Sequence, residues 1–149
     1  MKIPPNLTLR PANSDDATLF YNVIDLTMRE FILATWGRWD EVRVQTESHL
    51  HSKSPNSQVI AVDNIPVGVL RVARFSTYIE LEQIYLLPKY QRLGIGSALI
   101  NQLITEADRS HVTIRLRVMA INPAKRFYEH LGFIVTESVP DFFLMEKVP

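Results

Sequence analysis

The sequence predicts an α/β fold with a mixed central sheet and helices on both faces. Three observations carry that expectation. Short runs rich in Val and Ile, bounded by Pro, Gly, Asn and Asp, read as strands, while two long segments repeat their apolar residues every three to four positions. The resulting order is strand, two helices, three antiparallel strands, helix, strand, helix, two strands. A glycine-containing turn, Gln91-Arg92-Leu93-Gly94-Ile95-Gly96, joins a strand directly to a helix.

Leu7-Thr8-Leu9-Arg10 alternates and stops at Pro11, giving a short first strand. Ser14 or Asp15 is placed to cap a helix from about Asp15 to Ala34, with Asp15 and Asp16 favouring its positive end. Gly37 breaks that helix, and Asp40 is placed to cap a second one running toward His51. Gln58 to Val62 and Pro66 to Phe75, joined by Asp63-Asn64, read as a β-hairpin. Tyr78 to Leu87 is a further strand, stopped by Pro88. Ile95, Leu99, Leu103 and Ala107 lie four apart on an amphipathic helix from Gly94 to Arg109. Thr113 to Met119 is a strand, Pro123 opens a helix that ends at Leu131-Gly132, and Phe133 to Val139 and Phe142 to Lys147 are two closing strands.

A chain of 149 residues has the size of one domain, and residues 1–149 show no linker, repeat or low-complexity tract. Folding buries about 70% of the unfolded surface at this length, so no metal or disulfide is required. Lys+Arg and Asp+Glu are both 16, which argues against a polyanionic nucleic-acid partner or an anionic membrane. There is no cysteine, so disulfides, thiolate nucleophiles and Cys-ligated zinc are excluded. Met1 to Leu9 lacks the apolar run of a signal peptide, and no stretch approaches about 20 apolar residues. A cytoplasmic protein is the expectation. His49, His51, His111 and His130 show no metal spacing.

The glycine turn is the most informative segment. A helix start exposes unpaired N–H groups with a partial positive charge, which together bind phosphate. Gly94 and Gly96 allow a diphosphate to approach the backbone, and Lys89 and Arg92 add charge. The turn is neither a Walker loop, lacking Gly-Lys-Ser/Thr, nor a dinucleotide fingerprint, since Leu99 stands where a third glycine belongs. A structural turn with no ligand is the other reading.

Gln91 to Gly96 resembles the Gln/Arg-x-x-Gly-x-Gly/Ala signature of the GNAT N-acetyltransferases. A second segment, Asn122-Pro123-Ala124-Lys125-Arg126-Phe127-Tyr128-Glu129-His130-Leu131-Gly132-Phe133, is similar to that family's Asn…Ala…Phe-Tyr-Glu-x-Leu-Gly-Phe motif. The likeness is strong from Tyr78 to Phe133 and rests on element order alone before that. It implies a mostly antiparallel sheet of about seven strands, splayed where acetyl-CoA binds. It implies that Gln91, Arg92, Leu93, Gly94, Ile95, Gly96 and Ser97 hold the cofactor's diphosphate. It implies that Ile84, Tyr85 and Leu86 pair through their backbone with its pantetheine arm. Asn122 would bond the pantetheine amides and Lys125 the phosphate end. The spacing departs in one place: Asn122 stands six residues before Tyr128, where many members place it seven before.

Acyl transfer from a thioester to an amine expels a thiolate, and a tyrosine hydroxyl in reach can protonate it. The resemblance gives that part to Tyr128; an aromatic packed on the sheet is the alternative. Glu80 and Glu82 lie two apart, on one face of an uninterrupted strand. Both sit in a mostly apolar run, where a raised pKa would suit a general base, directly or through water. Solvated or ion-paired carboxylates are the alternative. In this family the N-terminal helices supply the acceptor pocket, so Trp36, Trp39 and Arg29 are candidate substrate residues, against a packed helix corner.

The implied activity is transfer of an acetyl group from acetyl-CoA to a primary amine, on a small molecule or a peptide, by direct attack and without a metal. A silent acyl-CoA-binding or sensor module, or an interaction domain using Trp36 and Trp39, are the other readings. The acceptor, the acyl length and the oligomeric state are not encoded in any motif.

Overall fold

In the computed structural model residues 6–149 are described; Met1 to Pro5, part of the stretch expected to carry no signal peptide, lie outside them. The elements are β1 Leu7–Pro11, α1 Ala17–Trp36, α2 Glu41–Ser52, β2 Ser57–Val62, β3 Ile65–Arg74, β4 Tyr78–Leu86, α3 Ile95–Ser110, β5 Thr113–Met119, α4 Ala124–His130, β6 Ile134–Val139 and β7 Phe142–Lys147. They follow the anticipated order. The seven strands form a sheet in the order β1-β2-β3-β4-β5-β7-β6. The pairs β1–β2, β2–β3, β5–β7 and β6–β7 are antiparallel, and β4–β5 is parallel. The last strand therefore inserts between β5 and β6, which no local pattern announces.

The chain divides into two compact units. One comprises the residues up to Arg71 together with Gln83–Gly96; the other comprises Val72–Glu82 and Ser97–Pro149.

In the first unit, the cap of α1 differs from expectation. Asn13, rather than Ser14 or Asp15, begins a 3-10 turn over Ser14–Asp16 by accepting from the Asp15 N–H at 2.8 Å. Asp16 accepts from the Asn13 N–H at 2.9 Å, closing a reciprocal box. Arg10 grips the same carboxylate at 2.7 and 2.9 Å. That hydrogen bond is the main reason the Asp16 carboxyl titrates below its usual range. The helix thus starts two residues late and runs to Trp36, where Gly37 at φ 76° caps it in the left-handed region. Asp40 caps α2 as expected, accepting from the Arg43 N–H at 3.1 Å. At its far end the buried Ser52 and Ser57 hydroxyls donate to the His49 and His51 carbonyls at 2.7 and 2.6 Å, satisfying end carbonyls that lack helix partners.

Asp63 and Asn64 have φ of 51° and 65°, the left-handed pair of a two-residue hairpin turn. Nearby, Ile60 pairs with Gly68 while Ala61 pairs with Pro66, so Val67 is an extra residue bulged from β3. Phe20, Val23 and Val69 are fully buried, with Leu19, Ile24, Tyr85 and Leu87 packed against them. Each such side chain contributes about 1.5–3 kcal/mol by leaving water.

In the second unit, β5 alternates cleanly: Ile114, Leu116 and Val118 are buried, Arg115 and Arg117 exposed. Leu99, Ile100, Leu103 and Ala107 form the buried stripe of α3. Arg74 grips Glu106 of that helix with two hydrogen bonds of 2.5 and 2.9 Å. Gly132, at φ 100°, follows α4 as its glycine stop.

Candidate functional site

The glycine turn is built from backbone. β4 gives way to a 3-10 turn over Pro88–Tyr90, in which the Tyr90 and Gln91 N–H groups bond the Leu87 and Pro88 carbonyls. The Gln91 amide donates to the Leu86 carbonyl at 3.0 Å, folding the loop back on the strand. Arg92 and Gly94 take φ of 62° and 83°. Two left-handed residues so close together wind the chain into the first turn of α3, where Ile95, only 1% exposed, anchors the helix start. The leading N–H groups of a helix have no partner within it. Gly96 and Ser97 lie in that first turn, Leu93 is exposed, and Lys89 stands 5.9 Å from the Tyr90 ring.

Gly68 lies outside both sequence motifs. A Cβ there would strike the Tyr85 carbonyl oxygen and lie 2.9 Å from Leu86 Cδ2. Its absence lets β3 and the Tyr85–Leu86 stretch of β4 approach closely, and the Leu87 N–H bonds the bulged Val67 carbonyl at 2.8 Å. The sequence did hold a signal: a lone glycine inside a Val-rich strand marks a bulge or a close approach.

The ladder between β4 and β5 is short. Its registered pairs run from Tyr78↔Thr113 to Leu81↔Leu116, whereas β4 continues to Leu86 and β5 to Met119. The burial alternation of β4 also ends there: Ile79 and Leu81 are buried, Glu82 is exposed, and Gln83, Ile84, Tyr85 and Leu86 are all intermediate. Glu80 and Glu82 share the face opposite Ile79 and Leu81. Glu80 is half-buried, and burial pushes its carboxyl above the usual range. The charge of Glu82 adds to the rise, while Arg115 and Arg117 oppose it. Arg115 is the register partner of Glu80, bonds Glu146 at 3.0 Å and lies 4.2 Å over the Tyr78 ring. Arg117 lies 4.3 Å over the Phe142 ring and makes no ion pair among the described residues.

On α4, Tyr128 is 9% exposed, with the Phe127 and Phe133 rings edge-on at 5.3 and 5.8 Å. Asn122 accepts from the Ala124 N–H at 2.9 Å, so its side-chain oxygen starts the helix, and Pro123 stands before the first helical residue. Lys125 lies 3.8 Å from Glu129 and 4.8 Å from the Phe143 ring. The helix places Lys125 and Tyr128 three residues apart, on neighbouring turns of one side.

Of the acceptor-side candidates, Arg29 and Trp39 meet: the guanidinium lies 5.0 Å from the indole and bonds Asp25 at 3.0 Å. Tyr21, which the sequence reading did not single out, meets Trp39 edge-on at 6.5 Å and donates to Glu41 at 3.0 Å. Trp36, the last residue of α1, is 46% exposed. Among the described residues, no group of three metal-ligating side chains gathers, and no helix is long and apolar enough to cross a membrane.

The family model described as acetyltransferase (GNAT) domain matches residues 29–142. No curated protein matches the sequence. Solved structures share the fold at low identity. The paia N-acetyltransferase of Thermoplasma acidophilum, in complex with coenzyme A, is 19% identical with a TM-score of 0.73, over 96% of this chain and 99% of that one. Arabidopsis thaliana Naa50, in complex with the bisubstrate analogue CoA-Ac-MVNAL, is 16% identical with a TM-score of 0.67, over 97% and 99%. The ribosomal-protein-S18-alanine N-acetyltransferase of Escherichia coli is 21% identical with a TM-score of 0.67, over 95% and 93%. With a domain match over most of its length and the seven-stranded sheet to accompany it, this chain belongs to the GNAT acetyltransferase family.

Proposed function

We propose that the chain, acting as one domain, moves an acetyl group from acetyl-CoA to a primary amine of a small molecule or a peptide, by direct attack. One observation carries the reading: β4 runs past its last registered pair with β5 and then turns, through left-handed Arg92 and Gly94, into the opening of α3. A strand stretch beyond its registered β5 pairs and a helix start suited to a diphosphate follow one another along the chain. These match the two ends of a CoA arm.

In this reading the amides from Arg92 to Ser97 hold the diphosphate, and Gln83 to Leu86 take the pantetheine as an added strand. A backbone N–H near Leu86 polarises the thioester carbonyl. Glu80, directly or through a water, takes a proton from the acceptor ammonium, and the neutral nitrogen attacks the carbonyl carbon. The C–S bond breaks, the Tyr128 hydroxyl gives its proton to the departing sulfur, and the second proton shed by the new amide nitrogen passes through solvent to restore the tyrosine. The raised Glu80 pKa supports the base assignment, since a carboxylate ionised near neutrality yet of higher basicity is the better acceptor. The complexes of the two structural relatives with coenzyme A and with a CoA–peptide analogue support the co-substrate and the amine class.

An acceptor screen that follows free thiol release from acetyl-CoA tests the reading. Turnover with at least one amine, and tight binding of acetyl-CoA by calorimetry, are the expected results. Binding without turnover of any amine would make the chain a silent CoA-binding module. Absence of binding would remove the co-substrate as well.

A further inference from the structure

From the second unit we infer that Arg117 is a specificity-determining residue that reads an anionic group, most simply a carboxylate, close to the acceptor's amine. This rests on the acetyl-transfer reading and narrows its acceptor class to amino-carboxylates, that is, free amino acids and similar small zwitterions.

Position comes first. Leu116 is the last residue of β5 with a registered partner on β4, so Arg117 is the first residue beyond the ladder, as Glu82 is on β4. Arg117 alternates with buried Leu116 and Val118 and therefore stands on the same face as Arg115, whose register partner is Glu80. The cation and the candidate base thus flank the point where the two strands cease to pair, on one face of the sheet.

Partnering comes next. On this face the other arginine is spoken for: Arg115 bonds Glu146 and covers Tyr78. Arg117 makes no ion pair among the described residues; its guanidinium carbon lies over the Phe142 ring at 4.3 Å, and its charge acts on Glu80. A guanidinium stacked on a ring is held in orientation while its N–H donors, which lie in its plane, remain available. Those donors form a fork that fits a carboxylate in bidentate fashion. The ring contact supplies orientation in advance, and no carboxylate among the described residues forms an ion pair with the guanidinium.

Charge then selects the ligand. Glu80 and Glu82 attract an ammonium to the β4 side of this point. A bare polyamine would also meet the repulsion of Arg117, two residues along β5 from the partner of Glu80. A molecule with an ammonium and a carboxylate a few bonds apart satisfies both sides at once. An amine with a neutral substituent satisfies only one.

The test uses the full chain with saturating acetyl-CoA and two acceptor series: free L-α-amino acids and the matching α-amino amides, compared by thiol release. The expected wild-type result is a kcat/KM at least tenfold higher for the acids, carried by KM. Arg117→Gln should bring the acid-to-amide ratio near one by raising the KM of the acids, and Arg117→Lys should restore part of it. Acetyl-CoA affinity and the thermal midpoint of both variants report on folding. A wild-type ratio at or below one, an unchanged ratio in a folded Arg117→Gln variant, or turnover of other amines but of neither series would each overturn the inference. That last outcome would leave the acetyl-transfer reading standing. The latter fails only when acetyl-CoA is not bound or no amine at all is acetylated.

Discussion

The glycine turn and the end of the β4–β5 ladder belong to different compact units and offer different kinds of group. The turn presents backbone: the left-handed Arg92 and Gly94, the helix start at Ile95, and the close approach that Gly68 allows at Tyr85. The ladder end and α4 instead present side chains: Glu80, Arg117 and Tyr128. Backbone recognition fixes where a ligand lies but is nearly blind to its chemistry. Side-chain recognition decides what reacts. Damage to the first region should therefore appear in acetyl-CoA affinity, and damage to the second in turnover or acceptor choice.

Tyr128→Phe tests the division most severely. Loss of a positioned proton donor costs about 10²–10⁴-fold in rate, so kcat should fall by at least two orders of magnitude while acetyl-CoA affinity by calorimetry stays within about twofold. Unchanged turnover would move Tyr128 from the chemistry into the packing around Phe127 and Phe133.

Gly68→Val should have the largest effect on the other side. The new side chain meets the Tyr85 carbonyl oxygen and Leu86. Overpacking of this kind costs about 1–3 kcal/mol, to be read from the urea midpoint, and acetyl-CoA affinity should drop with it. Full affinity in this variant would mean that the course of β4 past Leu81 does not matter. Gly94→Ala is the milder form: a side chain in the left-handed region costs about 1–2 kcal/mol, and the Kd for acetyl-CoA should rise about tenfold with kcat at saturation little changed.

Glu80→Gln sharpens the comparison through pH. Burial and Glu82 raise the Glu80 pKa, so the basic form is present above that value and is lost as pH falls through it. The acid limb of kcat/KM should lie above the ordinary glutamate range of about 4.3 and should vanish in the variant, whose activity is lower throughout. Linkage has the opposite sign for the fold. A carboxyl whose pKa is raised on folding loses stability as pH rises from its unfolded to its folded pKa. Glu80→Gln should therefore be slightly more stable than wild type at neutral pH.

The smallest effect belongs to the cap of α1. Asp16 is held below its usual pKa, first by its hydrogen bond from Arg10. Its contribution is present above the ordinary carboxylate range and is lost as pH falls through the lowered folded value. Asp16→Asn should reduce the thermal midpoint at pH 7, narrow the gap from wild type only well below pH about 4, and leave acetyl transfer intact.

Much of this was legible in advance, for local reasons. Asp63-Asn64 demanded a hairpin turn, Gly37 and Gly132 ended helices, Asp40 began one, and the glycine turn announced itself by residue type. The start of α1 was misplaced by two residues because four consecutive polar residues, Asn13 to Asp16, competed as caps, and Asp16 of the reciprocal box also bonds Arg10.

By itself the sequence determined the element order, the glycine turn and the identity of the groups available for chemistry, because each depends on residues adjacent in the chain. Tertiary structure decided that β7 lies between β5 and β6, that the β4–β5 ladder ends at Leu81 and Leu116, that Gly68 faces Tyr85, and that Arg117 stacks on Phe142. Each of those facts joins residues far apart in sequence. Period-two alternation gives every strand a face, but it names neither the neighbour a strand pairs with nor the point where that pairing stops.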